Sequence, residues 1–197
     1  MAWAGLEGTG ASSRGDDEAS GLGPDCSQSA VLVPVPEADA LVGEWRALYD
    51  PKARTGVPAH ITLLFPWIAP HQLKPEHLDE LDKILAAQPA FEYSLDRVRW
   101  FGQRVLWLAP DPAEPFKRLT VAVATHFDTQ PWQGEFAEIV PHLTIGLAGQ
   151  TPGNALEQAA AEIAMRLPLR CEAREVDVMC AHGTYWQVVH RTELRRT

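Results

Sequence analysis

Apolar positions along the chain alternate between two periods, and the changes of period mark a run of strands and helices. Ala30 to Val35 is a short, largely β-branched apolar run closed by prolines, the pattern of a buried strand. A helix is predicted from about Asp39, with Leu41, Val42, Trp45 and Leu48 on one face and Asp50-Pro51 as its stop. After a loop rich in Gly and Pro, His60-Ile-Thr-Leu-Leu-Phe65 reads as a second strand. Pro75 opens a helix in which Leu78, Leu81 and Leu85 share a face. Phe91 to Phe101 and Arg104 to Ala109 read as two strands of a hairpin turning at Gly102-Gln103. Phe116, Leu119, Val123 and Phe127 then recur at helical spacing, and His142-Leu-Thr-Ile-Gly-Leu147 repeats the second strand. Asn154 and Glu157 form a capping pair for a helix carrying Leu156, Ala160, Ile163 and Leu167. Two last strands, about 169–181 and 185–193, turn around His182-Gly183-Thr184.

The order strand, helix, loop, His-x-Thr strand, helix, strand starts at residue 30 and again at residue 104. His60 and His142 stand 82 residues apart, and the helices after them begin 79 apart, near 75 and 154. Trp107 and Val188 hold similar places 81 apart. So regular an offset implies an internal duplication. Strands and helices mix without the steady βαβ alternation of a doubly wound sheet, which favours the α+β class, with two like lobes facing each other across a cleft.

Composition narrows the picture further. The 197 residues carry 17 Lys+Arg against 26 Asp+Glu, a formal charge of −9, and the 46% apolar and 22% charged fractions are ordinary for a soluble globular protein. The longest uncharged apolar stretch, Ile61 to Pro70, contains two prolines and is too short to span a bilayer. The opening residues MAWAGLEGTG lack the basic and apolar regions of a signal peptide. Cys26, Cys171 and Cys180 are odd in number and lack metal-ligand spacing, which points to reduced thiols in a cytoplasm. Residues 1–28 hold six glycines and few large apolar side chains, so they are expected to be a disordered tail. That leaves 29–195 as a single domain of two pseudo-symmetric lobes, expected to be monomeric. The acidic balance argues against an extended nucleic-acid surface, yet a local pocket for one phosphate need not follow the net charge.

The chemistry resides in the two His-x-Thr strands. Side chains at i and i+2 of a strand share a face, so His60 projects with Thr62 and His142 with Thr144. If the duplicated strands face each other, two imidazoles and two hydroxyls converge on one small volume. In-line displacement at a phosphodiester needs a base for the attacking oxygen and an acid for the departing one, and imidazoles suit both tasks near neutral pH. Threonine hydroxyls can donate to the non-bridging oxygens, where negative charge grows. No metal or cofactor is required. Four His-x-Thr triplets occur, at His60, His142, His182 and His190, although seven histidines and seventeen Ser and Thr residues would give fewer than one by chance. Context separates them. Pro58 and Pro141 shortly precede the first two, which run into apolar strands followed by helices, whereas His182 lies in a turn and His190 in a charged final strand.

The segments PAHITLLFPW (58–67), VLWLAPDP (105–112) and EIVPHLTIG (138–146) resemble the 2H phosphoesterase superfamily, specifically its 2′-5′ RNA ligase-like members. The likeness covers roughly residues 29–194. It implies a bilobal, internally duplicated α+β fold with two antiparallel-rich sheets flanked by helices around a central cleft. It also implies metal-independent action on 2′,3′-cyclic phosphate or 2′-5′ linkages of RNA ends or nucleotides. In that reading His60 and His142 are the catalytic pair, and Thr62 and Thr144 hold the phosphate. The resemblance leaves open whether hydrolysis or 2′-5′ ligation is the physiological reaction. A non-catalytic module that senses a nucleotide or RNA end is a second class, and a zinc site a weaker third, since no carboxylate or cysteine accompanies the histidines at ligand spacing.

Other residues carry milder expectations. His71 and His77 read as solvated, and His126 as a favourable charge at a helix end. Trp67, Trp132 and Trp186 are ordinary packing residues that could instead stack on a base, with Trp132 the best placed in its loop Gln130–Gly134. Arg97, Arg99 and Arg104 read as decoration of a sheet face more readily than as a source of positive potential in the cleft, and Cys171 and Cys180 as small buried hydrophobes.

Overall fold

The computed structural model describes residues 26–129, 138–150 and 154–196. Within them the chain runs β1 (Cys26–Pro34), α1 (Asp39–Tyr49), β2 (His60–Leu64), α2 (Pro75–Ala86), β3 (Phe91–Phe101), β4 (Val105–Asp111), α3 (Glu114–His126), β5 (Leu143–Leu147), α4 (Ala155–Ala164), β6 (Leu169–Ala173), β7 (Glu175–His182) and β8 (Tyr185–Glu193). The strands form two four-stranded sheets, β2-β1-β7-β8 and β5-β4-β3-β6, with antiparallel pairing throughout.

Each sheet draws on both repeats. β3 follows the first His-x-Thr strand in sequence but pairs with β4, and β7 from the second half pairs with β1. The helices cross over too: α1 packs on β5 and α4 on β3, while α3 packs on β2 and α2 on β8. One apolar core joins these layers, with Val31, Val33, Ile61, Leu63, Leu106, Leu108, Leu143 and Ile145 wholly removed from solvent. At about 1.5–3 kcal/mol for each such side chain, this core is shared by elements of both halves.

Several local expectations are corrected by the tertiary structure. β1 begins at Cys26, three residues inside the segment read as a tail, because Cys26 lies across from His182 in the sheet; the rest of the expected tail is outside the described residues. The strand predicted over 169–181 breaks at Arg174, since β6 completes one sheet beside β3 and β7 enters the other beside β1. Leu48 is 58% exposed, and the α1 face buries Arg46 instead. The Asn154 side chain makes no capping hydrogen bond. Trp107 lies on an inner strand opposite Thr144, so its counterpart is Leu32, opposite Thr62, and not Val188 on the edge strand β8.

Candidate active site

β2 and β5 are the edge strands of their sheets and lie against each other, which brings the two His-x-Thr segments together. Ile61 and Leu143 point into the core and are fully buried, so strand alternation directs His60, Thr62, His142 and Thr144 to the opposite face, where each is half-buried. Both strands lose register with their neighbour directly after the threonine: Leu32 faces Thr62 while Val31 faces Leu64, and Trp107 faces Thr144 while Leu106 faces Gly146. Such a bulge re-aims the strand, so the motif residues face the site while Leu63, Leu64 and Ile145 all return to the core. Gly146 is required there, because a Cβ would come within 2.7 Å of the Tyr49 Cβ and 2.8 Å of the Leu156 Cδ2.

The two imidazoles are anchored in the same way. His60 Nδ1 lies 2.8 Å from the Pro58 carbonyl oxygen and His142 Nδ1 lies 2.7 Å from that of Val140, in each case two residues upstream. A carbonyl only accepts, so each Nδ1 is the N–H donor, and in the neutral ring Nε2 is left with its lone pair. Each Nε2 can therefore take a proton, and in the charged form give one. Desolvation by burial is the main force on both rings and disfavours the charged form. It pushes His60 down to about 4, against the Pro58 carbonyl, with the Arg46 guanidinium and His142 lowering it further and Asp50 opposing them. His142 is also lowered by burial, against the Val140 carbonyl.

Their surroundings differ. Behind His60, Arg46 and Asp50 form a buried pair, with the Arg46 Nη2 2.7 Å from the Asp50 Oδ2 and both residues under 5% exposed. Arg46 Nη2 also donates to the Val57 carbonyl at 3.2 Å, and the Lys52 N–H donates to Asp50 Oδ1 at 2.9 Å. The pair thus clamps both ends of the loop that delivers Pro58 and His60. Sequence reasoning missed it; the i, i+4 spacing of Arg46 and Asp50 was the available signal, but a charged pair at a helix end is ordinarily exposed. His142 sits instead among aromatic rings. Phe101 stacks on Trp107 with centroids 4.6 Å apart, and His142 meets Phe101 edge-on at 4.9 Å and Trp107 at 5.8 Å.

Of the other five histidines, His190, His126 and His77 have hydrogen-bonded rings. His190 Nε2 is 2.7 Å from Asp82 Oδ1, and Thr192 Oγ1 donates to the same oxygen, so this fourth His-x-Thr triplet ties β8 to α2. His182 ends β7 beside Tyr185, away from the paired motifs. His126 bridges to Glu80 at 3.1 Å, His77 Nδ1 accepts the Lys74 N–H at 3.1 Å, and His71 is exposed. Trp67 is buried edge-on to Phe127, and Trp186 packs beside Phe65 under the Lys52 ammonium. Trp132 lies outside the described residues. Cys171 and Cys180 are buried, and burial pushes the Cys171 thiol up to about 11, which disfavours the reactive thiolate. Among the described residues no group of three His, Cys, Asp or Glu side chains could hold a metal ion, and no helix is long and apolar enough to cross a membrane.

The profile of the 2′-5′ RNA ligase superfamily matches residues 34–184, about three quarters of the chain and both motifs. The chain belongs to that superfamily. Solved structures agree on the fold. TT0787 of Thermus thermophilus superimposes with a TM-score of 0.61 at 19% identity, covering 86% of this chain and 98% of its own. E. coli LigT, solved with NADP+, gives 0.55 at 18% identity, covering 87% and 99%, and its complex with 3′-AMP gives 0.54 at 17%, covering 86% and 98%. No curated protein matches the sequence. The fold is thus the duplicated 2H phosphoesterase arrangement, two antiparallel sheets flanked by helices.

Proposed function

We propose that the protein is a monomeric phosphodiesterase that opens 2′,3′-cyclic phosphates of nucleotides or RNA ends, using His60 and His142 as general base and acid and Thr62 and Thr144 as donors to the phosphate. The observation that carries this reading is the matched anchoring of the two rings at 2.8 and 2.7 Å, which gives both the same tautomer with Nε2 free. One Nε2 takes a proton from water as its oxygen bonds to phosphorus. The other gives a proton to the departing 3′ oxygen as the P–O bond breaks, leaving a 2′-phosphate and a 3′-hydroxyl. The proton count balances, and the pair ends with its charges exchanged. Binding alone has no use for two rings so prepared, which favours an enzyme over a sensing module. LigT has been crystallised with 3′-AMP, ATP and phosphate, which supports a nucleotide substrate here. The buried Cys171 thiol fits a reducing compartment such as the cytoplasm.

The test is a panel of the four 2′,3′-cyclic mononucleotides and an oligonucleotide ending in a cyclic phosphate, with the product phosphate located by phosphorus NMR. Opening to the 2′-phosphate with undiminished rate in EDTA is expected. Absence of turnover on the whole panel, or full activity in both His60→Ala and His142→Ala, overturns the reading. Joined product from cleaved RNA ends would move it to 2′-5′ ligation.

A further inference from the structure

Register across the second sheet carries one inference that rests on the proposed function and extends it. Thr144 on β5 lies opposite Trp107 on β4, and Trp107 lies opposite Arg99 on β3. Directly opposed residues in antiparallel strands project to the same face. One step along, Leu143 opposes Leu108, so His142 falls beside Ala109, and Ala109 opposes Arg97. Each member of the second motif is therefore backed, two strands away on the site face, by an arginine. The ring contacts of Phe101, which follows Arg99 by two, with Trp107 and His142 fix that face independently. Two strand spacings put Arg99 about 10 Å from Thr144 in the backbone, within reach of a group attached to the substrate but distinct from its reacting phosphate.

β6 pairs with β3 only over Phe91–Leu95, so from Arg97 onward that side of β3 has no neighbouring strand among the described residues. Arg99 is exposed and forms no ion pair among the described residues, whereas Arg97 holds Asp96 at 3.1 Å. Asp111 follows Ala109 by two on β4, further from the motif, so Arg99 is the principal free charge. The corresponding place in the first sheet is different. There the row from Thr62 passes through Leu32 to Asp177, whose carboxylate is buried and already bound by Arg191 at 2.6 and 2.9 Å, beside an apolar patch of Ala30, Met179, Ala181 and Trp186. Among the described residues, the sheet face behind the second motif carries an exposed, unpaired arginine, whereas the cation on the first side, Lys52, lies over the Trp186 ring. The expectation that these arginines merely decorate a sheet face is therefore incomplete, since the decorated face is the one that carries His142.

We infer that Arg99, assisted by Arg97, forms an anion subsite for a second phosphate of the substrate, either the 5′-phosphate of a nucleotide or the next internucleotide phosphate of an RNA end. Calorimetry on the full chain tests it without requiring turnover. The probes are adenosine 2′-monophosphate, adenosine 2′,5′-bisphosphate and the dinucleotide ApA bearing a terminal 2′-phosphate. One well-formed guanidinium–phosphate contact gives about a five- to thirtyfold gain in affinity at low salt, shrinking as ionic strength rises. The bisphosphate, the dinucleotide or both should show that gain over the monophosphate, and the gain should fall to within twofold in Arg99→Gln and in the Arg97→Gln/Arg99→Gln double variant. A gain confined to the bisphosphate assigns the subsite to free nucleotides, and one confined to the dinucleotide assigns it to RNA ends. Equal affinity of wild-type protein for all three probes overturns the subsite, as does a gain that survives both substitutions. If the phosphate gain is present but no cyclic phosphate is opened, the subsite stands and the phosphodiesterase reading fails.

Discussion

Replacing Asp50 by asparagine tests how the His60 side of the site is held. The substitution keeps the size of the side chain and an oxygen able to accept the Lys52 N–H, which now lies 2.9 Å from Asp50 Oδ1. What it removes is the charge facing Arg46, whose Nη2 lies 2.7 Å and Nε 3.2 Å from Asp50 Oδ2. Arg46 is 4% exposed and Asp50 3%, so solvent screens little of the loss. Orphaning a buried charge in this way costs about 3–5 kcal/mol, whereas removing both charges together is often close to neutral. At about 2–4 °C per kcal/mol for a chain of this size, Asp50→Asn should lower the melting temperature by about 6–20 °C. The Arg46→Met/Asp50→Asn double variant should recover most of that. Urea titration followed by circular dichroism supplies the three free energies of the cycle. In the single variant Asp50 no longer raises the His60 pKa while Arg46 continues to lower it, so any His60-dependent acid limb of the pH–rate profile moves to lower pH. A cost below about 1 kcal/mol for Asp50→Asn, or a double variant no more stable than the single, would refute the claim that this pair is a mutually dependent clamp.

Three further outcomes follow from the same geometry. His60→Gln and His142→Gln should each lower kcat/KM for a cyclic nucleotide by about 10²–10⁴, and Thr62→Val or Thr144→Val by about 10²–10³; steady-state kinetics showing a loss below threefold at either histidine would remove it from the proton transfers. Stability should fall on acidification, because between about pH 6.5 and 4 the unfolded chain binds a proton that folded His60 refuses; the contribution, up to about 3 kcal/mol, is intact above the unfolded value and gone below the folded one, and its absence from wild type minus His60→Gln denaturation curves would count against a neutral buried ring. Gly146→Ala should destabilise by about 1–3 kcal/mol through contacts of 2.7 and 2.8 Å with Tyr49 and Leu156, and an unchanged urea midpoint would show that α1 and α4 give way freely.

Most of the element order was legible in the chain, because burial against one layer imposes period 2 on strands and 3.6 on helices wherever an element has one wet face. β2, α2, the β3–β4 hairpin and α3 all start within two residues of where those periods place them. The paired motif was legible for the same reason: Ile61 and Leu143 had to be core, so the histidines and threonines beside them had to face away. The same patterns could not show which strands would become neighbours. Periodicity records that a residue is buried and leaves its partner undefined, so the crossing of β3 and β7 between repeats, the break at Arg174 and the equivalence of Trp107 with Leu32 all came from the pairing. Arg46 escapes a sequence reading for a related reason. A charged residue on a helix counts as exposed until a partner four residues on and a loop carbonyl eleven on are found within 3.2 Å of it. The arginines of β3 are the clearest case. Composition could count them and alternation could put Arg97 and Arg99 on one face, but only the register that sets Arg99 across from Trp107, and Trp107 across from Thr144, puts this face beside the second His-x-Thr motif. Local chemistry along one segment is written in its own residues; the relation between two distant segments is decided by the hydrogen bonds that form when both are already folded.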